Sequence, residues 1–411
     1  MLKSDTAGAR TLPRTEFIAL IAALMALNAL AIDVMLPALP YMGEAFGIAE
    51  PNDRQLVLSA YLLGFGFSQL IYGPLSDRFG RRAPLLVGLT VYLAAAFAAV
   101  LAPTFGILLA LRFVQGVGAA GTRVIAQSVV RDTYGGRDMA EIMSLVFMVF
   151  MVMPVIAPGI GQVILLTSPW HFIFLFMAGL ATVISIWAFM RLPETLTAEN
   201  RRALRFAVVL EGFSLVFTNR VAIMYGLAGV FLFGALFGFI NASQQIYVGI
   251  YGLGPWFPLA FAAIASLMAL SSWLNSRVVG RLGMRRISHY AVIVFTLASI
   301  LWWAISLLGT PPLWLFMGGH AIIMFHFGWS ASNMNALSME PLGKVAGTAS
   351  AVFGFMQTVG GATLGLFIGR LFDGTVVPIA GGYAAMGLLA LGCIFIAEKG
   401  SLFGVGEAYA D

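Results

Sequence analysis

The sequence predicts an all-α integral membrane protein with twelve transmembrane helices in two pseudo-symmetric six-helix bundles. Three observations lead there. The composition is 60% hydrophobic and only 10% charged, against roughly 45–50% and about 25% for a globular average. A water-soluble fold of this mixture would have too few charges for its surface, so most apolar side chains must face lipid. Twelve apolar stretches reach the ~20 residues that cross about 30 Å of hydrocarbon at ~1.5 Å per residue. The basic side chains gather in alternate connections between those stretches.

The stretches run 16–40, 54–74, 83–102, 106–130, 140–165, 170–190, 219–248, 256–276, 287–308, 313–337, 346–371 and 381–398. The first follows Lys3, Arg10 and Arg14 and contains Asn28 and Asp33. It is too long, and lacks the small-residue cleavage site, for a removable signal peptide. The 46 glycines suit close packing of membrane helices. The longest polar connection carries Glu194, Glu199, Arg201, Arg202, Arg205 and Glu211. It divides the spans six and six, giving a first bundle over 1–192, a linker over 193–218 and a second bundle over 219–411.

With both termini in the cytoplasm, nearly every Lys and Arg lies on the cytoplasmic side. Arg54 and Arg370 lie outside, and Arg112 and Arg123 fall within the fourth span. The net charge of +5 is therefore a topology signal and needs no nucleic acid. One cysteine, Cys393, cannot form an intramolecular disulfide.

Two loops echo each other. GPLSDRFGRR at 73–82 follows the second span, and SRVVGRLGMRR at 276–286 follows the eighth, as a duplicated half would produce. Taken singly, Arg78, Arg81 and Arg82 read as positive-inside anchors. As a set, Gly73, Leu75, Asp77, Arg78, Gly80, Arg81 and Arg82 resemble the loop motif G-x-L-x-D-R-x-G-R-R of the major facilitator superfamily. The resemblance implies a charge network around Asp77 that latches one conformation, with Arg131 as the candidate partner. In the second loop Gly280 stands where the aspartate would be, so the latch is expected on one side only.

LRFVQGVGAA at 111–120 resembles the same family's motif with a buried arginine. Pro154, Pro158, Gly159 and Gly161 loosely resemble the proline-glycine motif of its drug and proton antiporters. Ala157 and Gln162 replace glycines there, so the segment supports a kinked, closely packed helix more securely than antiport. Within the superfamily, AIDVMLPALP (31–40), RFVQG (112–116), VVRDTY (129–134), SPWHFIF (168–174) and AGTASA (346–351) are most similar to the bicyclomycin and chloramphenicol resistance branch. That resemblance implies proton-driven export of small, largely apolar compounds from the cytoplasm across a bacterial inner membrane, with no cofactor or metal, by a monomer.

Asp33 is the acid well inside a span. It lies about seven residues from the outer end of its span, as Arg112 does from the outer end of the fourth, so both sit roughly 10 Å deep and should meet. Aspartate can change charge and arginine cannot, so Asp33 is the expected proton carrier. A substrate that alters the distance to Arg112 would alter its proton affinity. A static pair orienting two helices is the alternative. Arg123 lies eleven residues beyond Arg112 on nearly the same face; it either lines an inward vestibule or snorkels to headgroups.

Polar stripes at helical spacing offer substrate contacts: Gln115 and Ala119 beside Arg112; Phe237, Asn241, Gln244 and Gln245; and His326, Trp329 and Asn333. Each stripe could equally stitch helices together. Tyr61, Phe65, Phe231 and Phe237 are candidates for an apolar lining. Gly361, Gly365 and Gly369 read as a packing face. His320 is offset by about 120° from His326, so the two cannot share a metal. A transporter dedicated to one metabolite is the rival reading. A membrane enzyme would need a clustered catalytic or metal set, and a nucleotide-driven pump would need a phosphate loop that the sequence lacks.

Overall fold

The computed structural model describes residues 12–197, 201 and 213–403. The chain ends with Lys3 and Arg10, and the linker residues Glu199, Arg202, Arg205 and Glu211, lie outside them. All twelve expected spans are helical. The first is bent, with α1 (Arg14–Asp33) followed by α2 (Leu39–Ala45). Then come α3 (Leu56–Phe79), α4 (Arg82–Val100), α5 (Phe105–Thr133), α6 (Gly136–Thr167) and α7 (His171–Arg191). The second half holds α8 (Arg220–Gln244), α9 (Phe257–Leu282), α10 (Met284–Ser306), α11 (Leu313–Met339), α12 (Ala346–Phe355) with α13 (Gly361–Arg370), and α14 (Val377–Ala397). Among the described residues, ten helical stretches are long and apolar enough to cross a bilayer. The 32-residue α6 and the 27-residue α11 supply the other two.

The two halves repeat one packing pattern. α1 packs on α6 as α8 does on α13, α3 on α5 as α9 on α11, α4 on α5 as α10 on α11, and α4 on α7 as α10 on α14. The bundles meet along α3 with α12 and α13, and along α6 with α9. These are again corresponding pairs.

Local chemistry explains the bend in the first span. Pro37 has no N–H and disfavours helix at Leu36, so α1 ends at Asp33 and one 3₁₀ turn (Leu36–Ala38) intervenes. Pro40 then sits in the first turn of α2, where a missing N–H is tolerated. The span therefore runs to Ala45, five residues past the expected end. Across this break lies α6, which stays one helix through Pro154 and Pro158. A Cβ on Gly161 would collide with the Val34 carbonyl and lie 2.9 Å from Pro37 Cγ, whereas Gly159 faces open space. Of the two glycines, only Gly161 is the packing residue.

The 361–369 glycine face packs as its spacing suggests. Added Cβ atoms would stand 2.9 Å from Phe233 Cβ at Gly361 and 2.7 Å from the Gly238 nitrogen at Gly365. At Gly369 an added Cβ would strike the Gln55 side chain of the other bundle.

The end of the molecule bearing Arg81 is rich in basic side chains, and Arg14–Glu141 (2.7 Å) and Arg191–Glu16 (2.6 Å) tie its helix ends together. We call it the basic face. At the opposite, far face, a polar clasp joins the bundles. Gln55 Nε2 donates to Gln245 Oε1 (2.8 Å) and Gln245 Nε2 to Asn52 Oδ1 (2.7 Å). Asn52 Nδ2 donates to the carbonyls of Arg370 and Phe372, and Arg370 pairs with Asp53 at 2.6 Å.

Candidate functional site

On the basic face, α3 ends at Phe79 and Gly80 turns the chain with φ +89°, a left-handed conformation that favours glycine. The turn throws Arg81 inward, where its side chain is 3% exposed. Its guanidinium donates to Ser76 Oγ (2.8 Å), Asp77 Oδ1 (2.6 Å) and Asp132 Oδ2 (2.7 Å). Burial pulls the Arg81 pKa down, but the bonds to Asp132 and Asp77 outweigh it and raise the value. Glu194, just after α7, accepts from the Arg81 and Arg82 backbone N–H groups (2.8 and 3.2 Å), placing a carboxylate at the positive end of α4. A Cβ on Gly80 would collide with that carboxylate. Arg82 donates to the Phe189 carbonyl and lies over the Phe189 ring, while Arg78 is exposed beside Phe79. Gly73 faces open space.

The structure brings Asp77 to Arg81 rather than to Arg131, which is exposed. Asp132, its neighbour in sequence, reaches the network because a one-residue step turns the side chain about 100° around α5. The second loop is not bare either. Gly283 repeats the turn with φ +80°, and Arg285 pairs with Glu340 (2.8 Å) and Glu398 (3.0 Å). Glu340 follows α11 as Asp132 closes α5, and Glu398 follows α14 as Glu194 follows α7. Both copies therefore hold a charge network, although Gly280 has no carboxylate to give.

In the interior, Asp33 and Arg112 do not meet. Arg112 is wholly buried and donates to the Val57 carbonyl (3.2 Å), the Ala31 carbonyl (2.9 Å) and Gln115 Oε1 (2.7 Å), with its guanidinium 4.6 Å from the Tyr61 ring centre. No carboxylate lies within 4.0 Å of it among the described residues. Two causes explain the miss. The first span runs to Ala45, so twelve residues separate Asp33 from its end, about 18 Å of helix, against seven residues for Arg112. The end of α1 also leaves carbonyls free of intrahelical donors, and Arg112 takes that of Ala31. Asp33 is buried, with Oδ1 lacking any hydrogen-bond partner.

Below Arg112, Tyr61 and Phe65 stack with centroids 6.2 Å apart and planes within 6°. The Arg123 guanidinium lies 5.9 Å from the Phe65 ring centre, half-buried. Tyr61 donates to Asn28 (3.3 Å), and Asn28 donates to Thr122 (2.9 Å), tying α1, α3 and α5 together. Ala119 is fully buried.

The other stripes divide. Gln245 belongs to the far-face clasp, while Gln244 is half-buried. Phe237 packs under Gly361 and Gly365. Asn241 is buried with neither side-chain atom hydrogen-bonded. Asn333 exchanges bonds with Asn275 (2.9 and 3.3 Å) and so stitches α11 to α9. His326 and Trp329 cluster with Tyr290 and Phe325, and the buried Trp329 Nε1 has no partner. His320 is buried against Tyr383 and Phe239. Sequence reasoning missed Ser76, Asp132, Glu194 and the clasp residues Asn52, Asp53 and Gln55, which lie in one short turn with no periodic pattern; it singled out Gln245 but not its partners.

The Major Facilitator Superfamily profile matches residues 21–365. The chain belongs to the Major Facilitator Superfamily. It is thus a multi-pass membrane protein of a transporter family acting on small molecules. Among its relatives, the bicyclomycin resistance protein homolog of Haemophilus influenzae is 29% identical over 88% of this chain and 91% of its own length. Multidrug resistance protein D of Escherichia coli is 30% identical over 83% and 85%. The xylose transporter XylE of E. coli, in a partially occluded inward-open conformation, shares the fold with a TM-score of 0.75 over 95% of this chain and 98% of its own, at 12% identity.

Proposed function

We propose that this superfamily member is a proton-coupled exporter of small, largely apolar or amphipathic compounds, working by alternating access between its two bundles. The names of its relatives support the drug-efflux reading. The observation that carries the coupling is Asp33, a buried carboxyl with a partnerless oxygen at the break between α1 and α2. An ionised carboxylate held there without a cation costs several kcal/mol, and binding a proton removes the charge. The basic face is the cytoplasmic one, by the positive-inside rule, in a bacterial inner membrane, and the protein acts as a monomer. The bundles, 1–192 and 219–411, rock across the 193–218 linker. With the clasp made, the path from the far face is shut, and a proton from that side reaches Asp33 when the clasp opens. At about 2.3 kcal/mol per charge per 100 mV, one inbound proton drives useful export.

The test is export from sealed proteoliposomes under an imposed pH gradient. Asp33→Asn is expected to bind compound yet lose gradient-driven export, and Arg112→Ala to lose binding or coupling. Full gradient-driven export by Asp33→Asn would refute the carrier assignment.

A further inference from the structure

The charges inside the first bundle do not balance. Arg112 and Arg123 face the interior against the single carboxyl of Asp33, and among the described residues neither guanidinium has a carboxylate within 4.0 Å. Arg112 is satisfied by two carbonyls and Gln115. Arg123 is not: among the described residues no hydrogen bond or ion pair reaches it, and its neighbour is the face of Phe65, which continues the stack from Tyr61. Eleven residues at 100° each return Arg123 to within about 20° of Arg112. The Arg112 side of α5 points between α1 and α3, so Arg123 is turned inward and away from lipid. It is nevertheless partly exposed.

A guanidinium with five unused donors beside an apolar aromatic wall is built for a planar anion attached to an apolar body. We propose that Arg123 binds the acid group of the transported compound. The preferred substrate is then an amphipathic organic anion, with its carboxylate or sulfonate on Arg123 and its apolar part entering on the Phe65 side of that guanidinium, Tyr61 being fully covered in the stack behind. The assignment rests on the transport function proposed above and adds a substrate class to it. Charge neutralisation by the ligand takes the place of a protein carboxylate, so the site discriminates an acid from its uncharged isostere.

The experiment compares equilibrium binding of radiolabelled 4-phenylbutyrate and of its amide to the purified full-length protein in neutral detergent. The wild type is expected to bind the acid about tenfold or more tightly over the amide. Arg123→Gln erases the preference while amide binding stays, and Arg123→Lys keeps part of it. Size-exclusion profiles check that each variant is folded, and the lysine variant keeps the test decisive if the glutamine variant is not. Equal binding of acid and amide, or of neither, marks Arg123 as a hydrated cation and overturns the proposal. So does displacement of nothing but dioleoylphosphatidic acid, which would make it a lipid phosphate site. Proton-driven export of uncharged compounds, lost in Asp33→Asn, would survive either result, so the two readings fail separately.

Discussion

Arg81 bridges two acids from different helices, and its removal would leave Asp77 and Asp132 facing each other with no cation between them. Breaking a buried pair costs about 3–5 kcal/mol, and the partial exposure of Asp77 lowers that to about 2–3 kcal/mol for Arg81→Ala. Thermal unfolding in detergent measures it. Because folding raises the Arg81 pKa, its contribution is fully present below the ordinary arginine range and is lost only as pH climbs beyond it. The stability gap between wild type and Arg81→Gln should therefore stay level from about pH 6 to 9; a gap that closes on the alkaline side of this window contradicts the assignment. Gly80→Ala forces a Cβ onto a left-handed residue and against Glu194, and should cost about 1–3 kcal/mol by the same measurement.

At the scale of elements, the informative features are the interruptions. The break after Asp33 frees a carbonyl for Arg112 and lets α6 pass over it at Gly161. Gly161→Ala should destabilise by about 1–3 kcal/mol through overpacking against backbone, while Gly159→Ala, facing open space, should stay within about 0.5 kcal/mol. Similar losses at both positions would mean that α6 does not lie on the break. Two π turns, Gln245–Ile250 and Met356–Gly360, interrupt the second bundle where it meets the first. Gln245 and Thr358, the latter accepting from Gln69 at 3.1 Å, reach across from them. Local unwinding of this kind recurs at functional sites.

For the whole molecule, the clasp combines an exposed ion pair, Arg370–Asp53, with buried amide bonds around Gln55. Exposed pairs contribute about 0–1 kcal/mol, whereas a buried amide left unpaired costs about 1–3 kcal/mol. Gln55→Ala should therefore shift the population toward an open far face more than Asp53→Asn does. A cysteine placed at Asn241 in a Cys393→Ser background reports this. Labelling by a membrane-impermeant maleimide from the far face should rise several-fold in Gln55→Ala; unchanged labelling would show that the clasp does not hold the closed state.

Composition, span length and the repeated loop were enough to establish the twelve helices and the duplicated bundles, because burial in lipid forces an apolar run of fixed length for every crossing. Spacing also identified Asp33, Arg112 and the 361–369 glycine face as interior groups. What it left open was which side chains meet. Depth counted along a straight helix paired Asp33 with Arg112, but that span breaks at Pro37 and runs on to Ala45. Likewise Arg131 and Asp132 differ by one position in sequence and by a face of α5 in space. Partnerships among Gln55, Gln245 and Gly369, or Arg81, Asp132 and Glu194, join segments far apart in the chain. Only tertiary packing decides them, since a hydrogen bond depends on a few ångströms and an angle that no local pattern encodes.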